Sequence, residues 1–427
     1  MNKILNPERS TWDEILKRPT QTVADIEQTV NQIFDEIRTK GNSAVAKYTD
    51  LFDGIKLDSI VVTPREIEEA KKEISKDLKE AIKLAKTNIE KFHSAQRTER
   101  VDVETTSGVS CWQEKKPIQK VGLYIPGGTA PLFSSILMLA IPAKLAGCEE
   151  IVLCTPPSKE GKVNPAILYA AELCGVTQIF KIGGIQAIGA MTFGTEDVPQ
   201  VYKIFGPGNQ FVTVAKQLAT KYQVAIDMPA GPSELLIFAD DSAKAAYVAS
   251  DLLSQAEHGV DSQVILVSTS EKLLDEVSAE IEVQIKELPR KTIAEKAIEN
   301  SRLILVESDN KALELINEYG PEHFIVCAEN ETFFVEGIAN AGSVFIGNYA
   351  PESAGDYASG TNHTLPTNGY AKQYSGVNLD SFMKTITFQK ITEDGIRNIG
   401  PSIELLADAE GLQAHKNAVS LRLKDLE

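Results

Sequence analysis

The histidines are the residues whose surroundings most suggest chemistry. The chain holds five histidines among 427 residues. His93 ends a charged segment of helical period, and we expect it to lie on the solvated surface. The other four have an acid or an amide within a few residues: His258 in QAEH, His323 in PEH, His363 in TNH and His415 in EGLQAH. A single histidine is more often structural than functional, but this recurrence favours a functional site.

A metal site is one chemistry that these residues permit. Gln255 and His258 are three residues apart at the end of a helical run, so they share a helix face. An amide oxygen and an imidazole both bind divalent ions, and Asp356 could add a carboxylate and His415 a second imidazole. This mixed set of nitrogen and oxygen ligands suits Zn²⁺ or a similar metal with open positions. The alternative is that Gln255 and His258 only cap their helix, and spacing alone does not decide between the two.

Glu322 and His323 could form a general-base pair. They open the apolar run HFIVCAE, which predicts a strand. Neighbouring residues of a strand point to opposite faces, so both serve one site only at the strand's start or in the loop before it. Pro321 favours that position. A carboxylate next to an imidazole suits proton transfer, and a surface ion pair is the alternative.

Residues 351–367, PESAGDYASGTNHTLPT, have neither a helical nor a strand period, which predicts a loop. Small residues allow a ligand to approach the backbone closely.

Glycine-rich segments give only a weak indication of a nucleotide. FGPGN is not the GxGxxG pattern, and GxxxxGK[ST] does not occur in the sequence. Asn209 could cap the helix that follows it or contact a cofactor. Tyr124, at a strand end, could stack on a flat ring or pack in the core, and Gln186 leaves the same two possibilities.

Glu410 and His415 do not share a face of a regular helix. Five residues correspond to about 140° around an ideal helix. The two side chains can serve one site only if Gly411 interrupts the helix or if they approach that site from an end.

Composition excludes several classes of function. A formal net charge of −17 argues against binding to nucleic acid or to an anionic membrane, because both require clustered Lys and Arg. The N-terminus has no apolar signal region, and no apolar run of about 18 residues occurs, which favours a cytoplasmic protein. The five cysteines form no CxxC pair, which indicates reduced thiols. Four of them stand in or beside apolar runs and are expected to be buried: Cys148, Cys154, Cys174 and Cys327.

The order of predicted elements indicates an α/β fold. Residues 1–110 have helical periodicity. After Lys120, short strand-like runs alternate with helical runs, which is typical of parallel sheets. This predicts two α/β units, roughly 122–234 and 235–348, followed by a mixed tail from about 378 that ends in a helix. In open α/β sheets ligands bind beyond the carboxyl ends of the strands, and we place there IPGGTAPLF, GGIQA, FGPGN, MPAGPSE and residues 351–367.

Ordered motifs between residues 120 and 422 resemble the histidinol dehydrogenase family. They are IPGGTAPLFSSILMLAIPA, FGPGNQFVT, AIDMPAGPSE, SQAEHG, GPEHF, PESAGDYASGTNHTLPT and EGLQAHKNAV. The resemblance implies an α/β fold with two Rossmann-like domains, each an incomplete doubly wound parallel sheet, plus small helical segments at both termini. The resemblance implies four parts. Residues 1–23 form an N-terminal segment, and residues 24–121 together with 235–377 form a first domain that carries most metal and catalytic residues. Residues 122–234 form a second, NAD-binding domain, and residues 378–427 form a C-terminal segment that reaches a partner subunit.

The resemblance also implies an activity. It is the NAD⁺- and zinc-dependent four-electron oxidation of L-histidinol to L-histidine through L-histidinaldehyde, the last steps of histidine biosynthesis. The implied assembly is a homodimer with shared active sites and one Zn²⁺ per subunit.

The residue roles carried over by the resemblance fall into four sets. The implied zinc ligands are Gln255, His258, Asp356 and His415. The implied catalytic bases are Glu322 and His323. The implied NAD⁺ contacts are Tyr124, Gln186 and Asn209. The expected substrate contacts are Ser233, Gln255, His258, His323, Asp356, His363, Glu410 and His415, with Glu410 and His415 reaching the site from the partner.

Three rival functions remain open at this level. The first is a zinc hydrolase in which Glu322 activates water. The second is a non-catalytic binding protein, against which the intact Glu322–His323 pair argues. The third is an NAD⁺-dependent dehydrogenase of the same fold acting on another amino or sulfonated alcohol, and Glu410 and His415 favour histidinol over it.

Overall fold

The fold is built around two parallel β-sheets. The computed structural model describes residues 1–19, 24–127, 131–229 and 231–427. Part of the IPGGTAPLF motif (128–130) and one residue of MPAGPSE (230) therefore lie outside the described residues.

The strands and helices alternate over most of the chain. The strands are β1 Asn2–Leu5, β2 Val101–Thr106, β3 Val109–Pro117, β4 Lys120–Tyr124, β5 Glu150–Thr155, β6 Gln178–Lys181, β7 Lys203–Phe205, β8 Ala225–Ile226, β9 Glu234–Ala239, β10 Gln263–Ser268, β11 Arg302–Leu305, β12 His323–Cys327, β13 Ser343–Ile346 and β14 Met383–Ile391. The helices are α1 Trp12–Ile15, α2 Ala24–Lys40, α3 Asn42–Asp53, α4 Pro64–Glu73, α5 Lys76–Ser94, α6 Phe133–Ala146, α7 Pro165–Leu173, α8 Gly184–Phe193, α9 Gln210–Ala219, α10 Ala245–Ala256, α11 Glu271–Gln284, α12 Lys291–Glu299, α13 Asp309–Tyr319, α14 Glu331–Gly337, α15 Glu352–Tyr357, α16 Glu393–Ala409 and α17 Gln413–Lys424.

The two parallel sheets repeat one topology. The five-stranded sheet has the order β6-β5-β4-β7-β8, and the six-stranded sheet has the order β1-β11-β10-β9-β12-β13. Apart from β1, each sheet has its strands in the order 3-2-1-4-5, counted along its own part of the chain, which is the doubly wound arrangement. The predicted α/β class with two doubly wound sheets is confirmed.

Each sheet is covered by helices on both faces. Strands such as β9 (ELLIFA) are buried along their whole length, as expected for parallel strands with helices on either side. On the six-stranded sheet, helices α10 to α12 build the core of one face, and α1, α13 and α14 build that of the other.

The N-terminal helices α2 to α5 share their hydrophobic cores with helices of the five-stranded sheet, whereas the predicted domain division groups them with the six-stranded sheet. Helices α2 and α3 share a core with α8 and α9, and α4 and α5 share one with α6 and α7, so all four pack on the five-stranded sheet. The resemblance had grouped residues 24–121 with 235–377. Conversely, β1 pairs in parallel with β11 and so joins the six-stranded sheet.

Two predictions of local structure were wrong. Residues 1–110 are not all helical, because β2 and part of β3 form an antiparallel sheet with the distant strand β14. That pairing joins residues more than 250 positions apart, which local periodicity cannot detect. Residues 351–367 are not all loop, since α15 occupies Glu352–Tyr357.

His93 is buried rather than solvated. Its Nδ1 lies 2.9 Å from the Ile89 carbonyl oxygen, and its Nε2 lies 3.3 Å from Nδ2 of Asn362. The Asn362 amide donates a hydrogen bond to the Met138 carbonyl at 2.7 Å. Burial lowers the pKa of His93. His93 of α5 thus contacts residues 351–367 through Asn362, and Asn362 in turn bonds to α6. The ring is buried because α5 packs against α6.

The cysteine prediction is confirmed. The four cysteines expected to be buried are buried, and all five are free thiols. None of the helices in the four described ranges combines the length and apolar character needed to cross a membrane.

The FGPGN turn is held by a buried ion pair. Lys216 Nζ lies 2.5 Å from Asp227 Oδ1, with 2% and 1% of their side chains exposed. Lys216 donates to the Gly206 carbonyl at 2.7 Å, and the Gly206 N–H donates to Asp227 at 2.8 Å. Gly206 has a φ of +128°, and a Cβ there would lie 2.0 Å from the Tyr124 carbonyl oxygen, so this turn requires glycine.

We expect Lys216→Met to lower the free energy of unfolding by about 3–5 kcal/mol, because it leaves the Asp227 carboxylate buried and unpaired. Urea denaturation followed by circular dichroism measures this. Lys221→Met is the control, since its pair with Glu27 is 64% and 46% exposed and is worth less than about 1 kcal/mol. Equal losses for the two variants would contradict the structural role of the buried pair.

Candidate active site

Glu322 and His323 lie at the amino edge of the six-stranded sheet. His323 is the first residue of β12, and Glu322 comes directly before it, so the predicted position at a strand start is confirmed. The neighbouring strand β9 begins at Glu234, whose N–H donates to Glu322 Oε2 at 2.9 Å. His323 Nδ1 lies 3.1 Å from the Glu234 carbonyl oxygen. Residues 351–367 were expected beyond the carboxyl ends of strands, but their Asp356 lies 3.9 Å from His323 at this amino edge, so that expectation is wrong for this segment.

The hydrogen bonds of His323 define which ring nitrogen is free. A carbonyl oxygen can only accept, so Nδ1 carries the proton. Nε2 is then an acceptor, and it is buried without a hydrogen-bond partner among the described residues. Burial lowers the pKa of His323 to about 4, so the ring is neutral at pH 7. A neutral imidazole with a free Nε2 can accept a proton from a ligand.

Carboxylates surround His323. Glu352 Oε1 lies 3.8 Å from His323 Nδ1, and Asp356 Oδ1 lies 3.9 Å from Nε2. The ligand atoms of His323, Glu352 and Asp356 all fall within 4.8 Å of one another. Glu322 Oε2 lies 3.6 Å from Nδ1. Burial raises the pKa of Glu322 and, together with the charges of Asp356 and Glu322, that of Glu352.

This carboxylate cluster (Glu322, Glu352 and Asp356) fits a cation. Within the described ranges, no Lys or Arg forms an ion pair with any of its members. Glu352 Oε2 is also buried without a partner there. Concentrated buried negative charge without a counter-charge is unfavourable unless a cation binds. Glu352 was missed by the sequence reasoning, although it stands four residues before Asp356, a spacing that shares one face of α15.

Gln255 and His258 lie beside the cluster. Gln255 is fully buried near the end of α10. Its amide matches its surroundings when Nε2 donates to Glu352 Oε1 at 2.6 Å and Oε1 accepts from the Glu234 N–H at 3.0 Å. His258 follows the helix end, and its ring is more exposed. Desolvation lowers the pKa of His258, while the charge of Asp356 raises it.

His363 joins the cluster to the other sheet. Its Nδ1 lies 2.9 Å from the Asp356 carbonyl oxygen, and its Nε2 lies 3.0 Å from Ser135 Oγ. Nδ1 therefore carries the proton, and the Ser135 hydroxyl donates to Nε2. Ser135 stands in the first turn of α6, which follows the carboxyl end of β4. The amino edge of the six-stranded sheet thus faces the carboxyl edge of the five-stranded sheet, a contact that the sequence reasoning missed.

The remaining predicted substrate contacts lie in two places. Ser233 directly precedes β9, next to Glu234. Glu410 directly follows α16 and His415 lies in α17, and Gly411 between them has a φ of +71°, so the helix is interrupted, which is one of the two arrangements that the spacing allows. The side chains of Glu410 and His415 are exposed, and neither forms a hydrogen bond or ion pair with another described residue. One chain by itself does not bring them to the cluster.

The three predicted NAD⁺ contacts line one cavity. It has a volume of about 970 Å³ and lies at the carboxyl edge of the five-stranded sheet. The Tyr124 hydroxyl accepts the Gly184 N–H at 3.0 Å, and Gln186 Nε2 donates to Asp53 at 3.2 Å. Asn209 does cap α9, through the Val212 N–H at 3.1 Å, and still lines the cavity. Gln186 Oε1 is buried without a partner among the described residues, and the size of the cavity suits a cofactor.

Comparisons with known proteins agree with the resemblance in the sequence. A family model described as histidinol dehydrogenase matches residues 16–423. Histidinol dehydrogenase of Bacteroides fragilis (strain YCH46) is 60% identical over 426 residues, covering 100% of both chains. That of Campylobacter jejuni (strain RM1221) is 50% identical over 425 residues, covering 99% of this chain and 98% of the other. A crystal structure of histidinol dehydrogenase from Elizabethkingia anophelis is 55% identical, with a TM-score of 0.98 and coverage of 100% of this chain and 98% of that one. Since both the sequence and the fold match along the whole chain, it belongs to the histidinol dehydrogenase family of oxidoreductases.

Proposed function

We propose that this chain oxidises L-histidinol to L-histidine through L-histidinaldehyde, with NAD⁺ and zinc. The observation that carries the proposal is the neutral His323, with its free Nε2, beside Glu322 in a carboxylate cluster. That cluster faces the edge of the sheet on which the cavity lies. The family to which the chain belongs supports the substrate.

The zinc proposal rests on the donor set and on the buried charge. Gln255, His258 and Asp356 lie at the cluster and would hold the ion together with the partner subunit's His415. A bound zinc ion supplies a Lewis acid that orients the substrate and offsets the negative charge of the cluster. His323 and Glu352 lie close to Asp356. Both residues are therefore near enough to orient the zinc ligands or the substrate.

The dinucleotide proposal rests on the cavity. Tyr124, Gln186 and Asn209 line it, and Gln186 brings a buried acceptor oxygen that has no partner in the described part of the chain. Bound there, NAD⁺ supplies the hydride acceptor for both oxidations. The Ser135–His363 contact holds the edge of this sheet next to the carboxylate cluster.

His323 has the position of the base for the first oxidation. Nε2 would accept the hydroxyl proton of histidinol as the carbon loses hydride, which leaves the aldehyde. The bond from Nδ1 to the Glu234 carbonyl keeps the ring oriented and stabilises the positive charge that it gains.

Glu322 has the position of the base for the second oxidation. Its burial raises its pKa, which makes it a stronger base than an exposed carboxylate. It would take a proton from water as the water oxygen adds to the aldehyde carbon, while the protonated His323 returns its proton to the former carbonyl oxygen, giving the hydrated aldehyde. His323, neutral again, would then take a hydroxyl proton of the hydrate as the second hydride leaves for a second NAD⁺, giving the carboxylic acid, which releases its remaining proton to the solvent and becomes the carboxylate. We propose that His363 contacts the substrate or its hydrated form from the loop side.

The exposed Glu410 and His415 support a shared site. Because neither side chain contacts the cluster of its own chain, we propose that each completes the site of a partner subunit. In a homodimer with twofold symmetry both sites would be completed in the same way.

The stoichiometry of the reaction tests the overall proposal. Zinc-loaded protein given limiting L-histidinol and excess NAD⁺ should form about two molecules of NADH per histidinol, with histidine as the product. NADH absorbance and chromatography of the product measure this. One NADH would mean that the aldehyde is released, and none would remove the role of NAD⁺ and favour a hydrolase.

Glu322→Gln separates the two oxidations. We expect aldehyde oxidation to fall by about 10²–10⁴-fold, because the base for water is lost, and alcohol oxidation to fall much less. Each half-reaction is followed through NADH with histidinol or histidinaldehyde as substrate. Glu318→Gln is the control, since Glu318 makes only a surface pair with Lys372. Equal losses in both half-reactions would contradict the role in activating water.

Hybrid dimers test the shared site. His323→Asn and His415→Asn should each be inactive alone, because every site lacks one group. When the two variants are mixed and allowed to exchange subunits, one site of each hybrid dimer is intact. We therefore expect recovery of about a quarter of wild-type activity. If mixing restores nothing although exchange is verified by mass spectrometry, His415 acts within its own chain or not at all.

A further inference from the structure

Glu234 connects the two proposed bases through its backbone. Its N–H donates to Glu322 Oε2 at 2.9 Å, and its carbonyl oxygen accepts from His323 Nδ1 at 3.1 Å. The orientation of both side chains therefore depends on where the first residue of β9 lies. Glu234 itself makes no proposed contact with substrate or cofactor.

The side chain of Glu234 is held by Arg18. Arg18 Nε lies 2.5 Å from Glu234 Oε1, and Nη2 lies 2.8 Å from Oε2, so the guanidinium binds the carboxylate through two parallel bonds. The Asn368 N–H donates to the same Oε1 at 2.6 Å. The exposed fractions are only 15% for the Arg18 side chain and 2% for that of Glu234. Such a forked pair fixes direction as well as distance.

Arg18 is in turn fixed from the opposite side. Its Nη2 donates to the Tyr319 carbonyl at 2.9 Å, and its guanidinium lies 3.9 Å from the centre of the Tyr319 ring. The Tyr319 hydroxyl donates to Gln263 Oε1 at 2.9 Å, and Gln263 Nε2 donates to the Lys17 carbonyl at 3.0 Å. These contacts link Arg18 through Tyr319 and Gln263 to Lys17, the residue before Arg18.

We propose that Arg18 is a positioning residue for the oxidation: through Glu234 it fixes the orientations of Glu322 and His323. This inference rests on the proposed roles of those two bases. A buried ion pair contributes little net stability, since desolvation offsets most of the attraction. Its geometric effect is larger, because both backbone groups of Glu234 contact the bases directly. Lysine cannot reproduce the two parallel bonds of Arg18 to the Glu234 carboxylate, since an ammonium is a single point charge.

The first test compares Arg18→Lys and Arg18→Met with wild type. We expect kcat to fall by about 10–100-fold, the range typical when a group that orients active residues is lost. KM for histidinol and KM for NAD⁺ should stay within about twofold. Arg9→Lys and Arg9→Met are the controls, since Arg9 belongs to the same N-terminal segment and its contact with Glu314 is exposed. Unchanged kcat in both Arg18 variants, or a loss that only follows the fraction of unfolded protein, would overturn the proposal.

A second test distinguishes the positioning role from a loss of stability even if these substitutions destabilise the fold. Guanidinium ion added to Arg18→Ala should restore part of kcat, whereas urea, the neutral analogue, should not. In addition, Glu234→Gln should lower kcat like Arg18→Met, and the double variant should be no worse than either single variant, because both break one interaction. Additive losses, or rescue by urea as well as by guanidinium, would overturn the pairing.

The failures of the two proposals are distinguishable. Wild-type protein that makes no NADH from histidinol contradicts the proposed function. Wild-type activity together with unaffected Arg18 variants contradicts only the positioning role.

Discussion

The parallel pairing of β9 with β12 is the constraint on which the site depends. In its register His323 stands opposite Leu235, so Glu322 and Glu234 are neighbours at the start of the two strands. The N–H of Glu234 bonds to the Glu322 side chain, and its carbonyl oxygen lies 3.1 Å from Nδ1 of His323. These two backbone groups contact Glu322 and His323, one each, at the amino edge of the sheet.

The second constraint is that the two sheets face each other with opposite edges. The six-stranded sheet presents an amino edge that carries acids and imidazoles. The five-stranded sheet presents a carboxyl edge, where parallel sheets usually bind nucleotides, and its cavity lies there. The contact between Ser135 and His363 joins these edges directly. In the proposed reaction, proton transfer and hydride transfer would thus depend on different sheets that meet at one place.

Buried charge links this geometry to the proposed metal site. Glu322, Glu352 and Asp356 are close together, and desolvation raises the pKa values of the first two. Arg18 offsets the charge of Glu234 but of none of these three. The chain thus supplies a counter-charge for Glu234, whereas the carboxylate cluster has no Lys or Arg partner among the described residues.

The sequence by itself determined the α/β class, the two parallel units, the strand start at His323 and the burial of four cysteines, because each depends on local pattern. It also placed Gln255, His258, Asp356, Glu322 and His323 in one set, through motifs that resemble a known family. Only the tertiary structure decided the rest. The roles of Glu234, Arg18, Glu352 and Ser135, the burial of His93 and the packing of the N-terminal helices on the five-stranded sheet all depend on contacts between distant segments. Periodicity records which face of an element is apolar, and it holds no information on which other element covers that face.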